Sequence, residues 1–238
     1  MTKLTILMYH EVASPRHGTR HLGNFVTPTQ FEEQLDALAD WGYESIGFDE
    51  WLAFREGRGR VPRRPLIVTF DDGYRSFAEH AWPRLKARGV RATMFLVASQ
   101  IGGTNVWDKD ERSAPLLDAD EILALANEGV EFGSHSWSHM PLAKVPVDVA
   151  RRELTDSHAL ISELLGAPVR VLSYPYSNQG PAVRALARET GYAAAVRGKG
   201  RMNFRLTDPY GLRRIKFDLH TTLDDARREL FRARWVRL

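Results

Sequence analysis

The sequence predicts an α/β fold, and three observations carry that prediction. Short apolar, β-branched runs alternate with longer segments of helical periodicity along nearly the whole chain. Gly42, Gly89, Gly129, Gly166 and Gly191 fall where helical segments should end in a left-handed residue, and a strand-like run follows most of them. The composition is globular: of 238 residues, 43% are hydrophobic and 26% charged, with Gly 18 and Pro 12, which excludes fibrous and low-complexity chains.

Taken in order, the apolar runs predict strands at Leu4 to Tyr9, Tyr43 to Gly47, Leu66 to Phe70, Ala92 to Val97, Glu131 to Ser134, Val169 to Tyr174, Ala193 to Arg197 and Leu212 to Phe217. Between them, helices are predicted at Thr29 to Trp41, Tyr74 to Arg88, Asp118 to Glu128, Val147 to Leu165, Pro181 to Thr190 and Thr222 to Arg234; in the first, Phe31, Leu35 and Leu38 recur three and four apart. Two long irregular stretches, Glu11 to Val26 and Ser99 to Leu117, interrupt the alternation, and such loops usually carry function in a compact domain. No Pro/Ser-rich linker divides the chain and no solenoid period is present, so one domain over residues 1–238 is expected. Periodicity does not choose between a doubly wound sheet and a barrel, but both place the active site at the carboxyl ends of the strands.

Composition narrows the chemistry. With Cys 0 there is no disulfide, no thiolate nucleophile and no cysteine-ligated zinc, so any metal must be held by His and carboxylates. The net charge is +3, and the arginines are scattered, densest at 58–64 and 227–237, with no nucleic-acid motif; nucleic acid is not expected as a partner. Leu4 to Met8 is too short an apolar run for a signal peptide, and nothing approaches the roughly 18 apolar residues of a spanning helix. The chain as given is therefore expected to be cytoplasmic, with no membrane span.

Chemistry-bearing residues stand at four strand ends. Thr69-Phe70-Asp71-Asp72-Gly73 puts two adjacent carboxylates after a buried-looking strand. Along a regular strand they would point to opposite faces, so both reach one site only if the backbone turns, which Gly73 permits; helix capping is the ordinary alternative. Ser134-His135-Ser136-Trp137-Ser138-His139 follows another strand, and two histidines four apart, bracketed by Gly133 and Pro141, can converge in a single turn. Two histidines with one carboxylate leave coordination positions open for water and substrate, as a catalytic metal site requires. Ser173-Tyr174-Pro175-Tyr176 ends a third strand and Tyr9-His10-Glu11 the first, where a histidine facing the metal would be a natural proton donor. Trp107, Trp137, Tyr174 and Tyr176 are candidates for stacking on sugar rings, each with core packing as an equal alternative.

The sequences TFDDG at 69–73 and HSWSH at 135–139, about sixty residues apart, resemble the first two motifs of the NodB-homology polysaccharide deacetylases, carbohydrate esterase family four. The resemblance runs over roughly residues 3 to 234. It implies a distorted, incomplete (β/α) barrel of seven to eight strands and one divalent metal, most often zinc, with cobalt, nickel or manganese as alternatives. It also implies that Asp71 is the catalytic base and that Asp72, His135 and His139 are the metal ligands. The segment Tyr174-Pro175-Tyr176 matches the third motif, whose tyrosine backbone N–H binds the oxyanion and whose side chains wall the substrate groove; Trp107 is a further substrate-binding candidate.

The chain departs from the family pattern in three places, one of them the lack of an Asp-x-x-Asp-Trp fourth motif after Tyr176. The arginine that usually opens the third motif is replaced by Ser173, and Arg213 or Arg214 is the candidate substitute. The Leu-x-His that supplies the acid is not met at Leu219-His220, whereas Leu7-Met8-Tyr9-His10 resembles the circularly permuted branch typified by poly-N-acetylglucosamine deacetylases, so His10 is preferred over His220. The resemblance implies a metal-dependent hydrolase that removes acetyl groups, N-acetyl foremost, from an acetylated sugar, oligosaccharide or polysaccharide precursor. The alternatives are hydrolysis of another small or cyclic amide on the same fold, or a non-catalytic carbohydrate-binding relative.

Overall fold

The computed structural model describes residues 2–15, 19–109, 112–198, 200 and 202–232. In chain order the elements are β1 (Lys3–Tyr9), β2 (Glu11–Val12), β3 (Phe25–Val26), α1 (Pro28–Asp40), β4 (Glu44–Ser45), α2 (Phe48–Arg55), β5 (Pro65–Phe70), α3 (Trp82–Ala87), β6 (Ala92–Leu96), α4 (Ala119–Asn127), β7 (Glu131–Ser134), α5 (Val147–Leu165), β8 (Val171–Ser173), α6 (Pro181–Thr190), β9 (Ala194–Arg197), β10 (Asn203–Phe204), β11 (Leu212–Arg213), β12 (Ile215–Lys216) and α7 (Leu223–Arg232). The residues predicted at 233–234 lie outside the described ones.

The parallel sheet runs β1-β5-β6-β7-β8-β9-β11, with β10 antiparallel on the outer side of β1. The predicted strand Leu212 to Phe217 changes neighbours midway. Its first half pairs with β9 through Leu212↔Val196, and its second half with β1 through Leu7↔Ile215. Arg214 stands at the switch, where its N–H still bonds the Arg197 carbonyl at 2.9 Å. The sheet therefore curls into the expected distorted, nearly closed barrel.

Strand alternation sorts the core into two layers. Leu4, Ile6, Ile67, Phe95, Val171, Ala194, Val196 and Leu212 form an inner cluster closed by Phe48, Trp51 and Leu52 of α2. Leu7, Tyr9, Val68, Phe70, Met94, Leu96 and Leu172 face the other way, against the surrounding helices. By the same parity Met8, His10, Thr69, Asp71, His135, Ser173 and Arg214 continue the inward rows at the carboxyl end of the barrel.

Besides the two-residue strands β2, β3 and β10, which the sequence does not predict, three elements differ from expectation. The strand predicted at Tyr43 to Gly47 is only a two-residue pairing beside the start of β5. The helix predicted from Tyr74 begins with a π-turn at Phe77–Ala81 and becomes α-helical only at Trp82; Pro83, which lacks the N–H a helix interior needs, accounts for the irregular entry. α2 was not expected, although Phe48, Trp51 and Leu52 recur at helical spacing and Glu50 closes its start by accepting the Gly47 N–H at 2.8 Å. No helix among the described residues is long and apolar enough to cross a membrane.

Candidate active site

Strand-end hydrogen bonds set the site residues side by side. The Asp71 N–H donates to the Tyr9 carbonyl at 3.0 Å, the His135 N–H to Leu96 at 2.7 Å, and the Tyr174 N–H to Val196 at 3.0 Å. The chain then turns sharply: Asp72 has φ 77° and Gly73 φ 81°. This left-handed pair swings Asp72 back beside Asp71, so the adjacent carboxylates do share one site. Non-glycine residues in this conformation carry strain of about 1–3 kcal/mol and collect at functional sites. The capping alternative is not realised: the helical segment that follows begins only at Phe77, with Ser76 at its cap position, and Asp72 Oδ1 is buried with no hydrogen-bond partner.

That unpartnered oxygen lies 3.4 Å from His135 Nε2 and 3.3 Å from His139 Nε2. One atom from each of Asp72, His135 and His139 falls within 4.8 Å of the others, all three residues being buried. His135 Nδ1 is 2.8 Å from the Ser173 carbonyl, which can only accept, so the proton sits on Nδ1 and the Nε2 lone pair faces Asp72. Burial pushes the His135 imidazole down to about 4, against the pull of Asp71 and Asp72. At neutral pH the ring is neutral, as a metal ligand must be. A buried carboxylate oxygen facing the Nε2 atoms of two imidazoles fits a divalent cation, and the His-His-Asp donor set suits zinc.

Asp71 is held differently. Arg214, 1% exposed, donates from Nη1 and Nη2 to its two carboxylate oxygens at 2.7 and 2.6 Å, and also to Thr69 Oγ1 at 3.0 Å and Ser173 Oγ at 2.8 Å. Ser173 Oγ in turn reaches Asp71 Oδ2 at 3.3 Å. Burial drives the Asp71 carboxyl up, but the Arg214 charge and its hydrogen bonds outweigh it and hold the group well below the usual carboxylate range. Of the two substitutes considered for the missing third-motif arginine, Arg214 occupies the place, whereas Arg213 is exposed.

A cavity of about 500 Å³ opens over these groups and is lined by His10, Asp71, Asp72, Trp107, His135, His139, Tyr176, Arg214 and Lys216, among others. His10 Nδ1 is buried without a hydrogen-bond partner. Burial lowers the His10 pKa despite the opposing pull of Asp72 and Asp71, and Lys216 adds to the lowering. His220 is exposed, does not line this cavity, and donates its backbone N–H to Asp218.

The aromatic candidates separate. Trp107 stacks on His139 with ring centroids 4.6 Å apart, and Tyr176, 59% exposed with φ 55°, meets the same ring edge-on. Tyr174 reaches the cavity wall, but its ring is buried and its hydroxyl donates to the Tyr210 carbonyl at 3.0 Å, so its side chain holds the core rather than the rim. Pro175 is buried beside it and Trp137 packs on the outer core. Sequence reasoning missed Lys216, Asn24, Asp108 and Glu229, which also border the cavity. Lys216 carried a signal, since it sits two residues past Arg214 on one strand face.

Comparison with known proteins places the chain. The protein YxkH of Bacillus subtilis (strain 168) is 26% identical over 216 residues, covering 90% of this chain and 71% of that protein. The poly-beta-1,6-N-acetyl-D-glucosamine N-deacetylase of Staphylococcus epidermidis is 25% identical over 169 residues, covering 67% of this chain and 56% of that enzyme, so the match spans little more than half its length. The same fold is seen in the Streptococcus pyogenes deacetylase PplD in complex with acetate, with a TM-score of 0.84 at 21% identity over 96% of this chain and 98% of that one. IcaB from Ammonifex degensii shares it with a TM-score of 0.80 at 24% identity over 95% and 96%. The sequence pattern of one family, polysaccharide deacetylase, matches residues 58–195, which hold the Asp71, Asp72, His135, His139 and Tyr176 positions, and the chain belongs to that family.

Proposed function

We propose that this polysaccharide deacetylase hydrolyses N-acetyl groups of an acetylated glucosamine oligomer or precursor, with zinc bound by Asp72, His135 and His139. The observation that carries the reading is the convergence, in one cavity, of that buried donor trio with an ionised Asp71 locked to Arg214 and with His10. When bound, the metal lowers the pKa of water and polarises the acetyl carbonyl. Asp71 accepts the proton of the attacking water as its oxygen bonds to the carbonyl carbon; Arg214 and Ser173 fix the carboxylate's orientation for that transfer. The Tyr176 N–H donates to the developing oxyanion. His10 gives a proton to the nitrogen as the C–N bond breaks, leaving a free amine and acetate. The exposed faces of Trp107 and Tyr176 flank the sugar ring. The similarity to the staphylococcal enzyme supports an N-acetylglucosamine oligomer as the first substrate to try.

The test is acetate release from N-acetylglucosamine oligomers and acetylated sugar nucleotides by zinc-loaded protein, beside an Asp71→Asn variant. Release by the wild type, with a loss of about 10²-fold or more in the variant at unchanged metal content, is expected. Equal rates would remove Asp71 from its role, and no release from fully loaded wild type would move the substrate to another amide.

A further inference from the structure

His135 and His139 are held in unequal ways. The His135 ring is anchored from behind by the Ser173 carbonyl at 2.8 Å. His139 Nδ1 is buried and has no hydrogen-bond partner. A ligating histidine ordinarily has its second nitrogen tied down, which fixes both tautomer and ring direction. At His139 that duty falls on the backbone, and the backbone there is under tension: Ser136 has φ 67° and His139 φ 64°, both left-handed without being glycine.

What opposes relaxation of this turn is the inner face of α5. Ala150, Glu153, Leu154, Ser157 and Ile161 are its buried residues, and the two polar ones stand four apart, one turn from each other on one face. Glu153, 6% exposed, accepts from the Ser138 N–H through Oε2 at 2.8 Å and from the Ser138 hydroxyl through Oε1 at 2.6 Å. Ser157 Oγ accepts from Ser134 Oγ at 3.0 Å, Ser134 Oγ from the Ser136 N–H at 3.1 Å, and Ser136 Oγ from the His139 N–H at 3.2 Å. The serine side-chain hydrogen bonds of the ligand turn thus run toward α5, while the Ser136 and Trp137 carbonyls accept from the Ala98 and Ser99 N–H groups at 3.1 and 2.9 Å, and the residue next to His139 is gripped by Glu153 at both its backbone and its side chain.

Glu153 is an expensive residue to place there. A buried carboxylate is normally offset by a cation, yet its partners are both on Ser138 and it makes no ion pair among the described residues. Charge-assisted hydrogen bonds are about twice as strong as neutral ones, and both of these are spent on a single residue of the ligand turn.

We propose that Glu153 is a positioning residue for the metal centre: it clamps Ser138 and thereby holds His139, whose ring packs between Trp107 and Tyr176 but whose Nδ1 has no hydrogen-bond anchor, in ligating orientation. This rests on the reading of Asp72, His135 and His139 as metal ligands. Glu153 touches neither metal nor substrate; its effect is read in metal affinity and in the geometry of the bound ion.

The experiment titrates metal-free wild type, Glu153→Ala, Glu153→Gln and Ser138→Ala with Zn²⁺ against a chromophoric chelator, records the visible spectrum of each with Co²⁺, and follows thermal unfolding of each without metal. Glu153→Ala should raise the Zn²⁺ Kd by about 10–100-fold, the range seen for residues supporting a ligand, and alter the Co²⁺ bands. Glu153→Gln can accept the Ser138 N–H through Oε1 and donate from Nε2 to the hydroxyl, so it should return the Kd to within a few-fold of wild type. Ser138→Ala loses one of the two bonds, leaves α5 intact, and should fall between; it carries the test if Glu153→Ala does not fold. Wild-type Kd and spectrum in Glu153→Ala, or in Ser138→Ala where the former is unfolded, would overturn the assignment, as would failure of glutamine to restore affinity. A wild type that binds neither ion would overturn the metal reading itself, an outcome distinct from these.

Discussion

The guanidinium of Arg214 and the carboxylate of Asp71 meet in a two-pronged contact, 2.7 and 2.6 Å, at the point where the last strand of the barrel changes neighbours. Strand parity puts the Arg214 side chain inside, and Thr69 and Ser173 accept further bonds from its two terminal nitrogens, while its buried Nε has no hydrogen-bond partner. The arginine comes from a different strand than the third motif would supply, but it meets the same carboxylate.

Removing one partner of a buried pair leaves an uncompensated charge, so Arg214→Met should destabilise the metal-free protein by about 3–5 kcal/mol in denaturant unfolding. The pH dependence has a definite sign. Asp71 is held below its unfolded value of about 3.9, so its contribution is complete above that pH and is lost as the pH falls through the lower folded value. The gap between wild type and Arg214→Met should therefore be widest near neutrality and close in strong acid. A constant gap over the whole range would dissociate the two residues.

His10 gives a prediction of opposite design. Burial, aided by Lys216, lowers its pKa in the metal-free protein, against Asp72 and Asp71. The ring should titrate below its ordinary value of about 6.5 in an NMR pH series, and Lys216→Met should move it upward. As the proposed proton donor, His10→Gln should cost about 10²–10⁴-fold in kcat with metal content unchanged, whereas His220→Gln should be silent. Equal losses in both variants would leave the acid unassigned.

Asp72 combines two demands, a proposed ligand oxygen and a left-handed backbone. Asparagine tolerates that conformation well but lacks the charge. Asp72→Asn should fold with wild-type stability in metal-free form yet lose more than about 100-fold in Zn²⁺ affinity, a larger effect than loss of a supporting residue. Elemental analysis after dialysis at limiting zinc separates the outcomes, and full occupancy would break the ligand assignment.

Much of this was legible before any coordinates, and the reason is strand parity. Motifs at the ends of parallel strands had to face one site, and His10, Asp71 and His135 do. Parity would also have chosen Arg214 over Arg213, since Leu212 faces the inner core and position 214 shares its side. What stayed hidden depended on long-range pairing or on local exceptions. Glu153 reads as an ordinary charge on an amphipathic helix, because only the folded turn of residues 134–139 shows what it grips. Tyr174 reads as a rim aromatic until Tyr210, 36 residues on, takes its hydroxyl. α2 was overlooked because its short apolar pattern is no stronger than that of a loop with buried side chains.

Gly133, in the strand that leads to His135, has no room for a side chain. A Cβ there would lie 2.5 Å from two ring carbons of Phe95 and 2.8 Å from the Val171 carbonyl oxygen, distances at which something must move. The Phe95 ring is fully buried, and the Arg214 guanidinium lies 5.6 Å from its centroid, so displacing it disturbs the group that orients Asp71. Overpacking of this kind costs about 1–3 kcal/mol, and in a domain of this size each kcal/mol lowers the melting temperature by about 2–4 °C. Gly133→Ala should therefore melt several degrees lower and lose turnover with unchanged affinity for added Zn²⁺, because His135 is anchored separately through Ser173. Phe95→Leu removes the ring that the new methyl group meets. If the clash is the cause, Gly133→Ala/Phe95→Leu should lose less stability than the two single variants added together. Strict additivity in the unfolding midpoints would place the strain at the Val171 carbonyl instead, and the loss of turnover would then have to run through β8 rather than through Arg214.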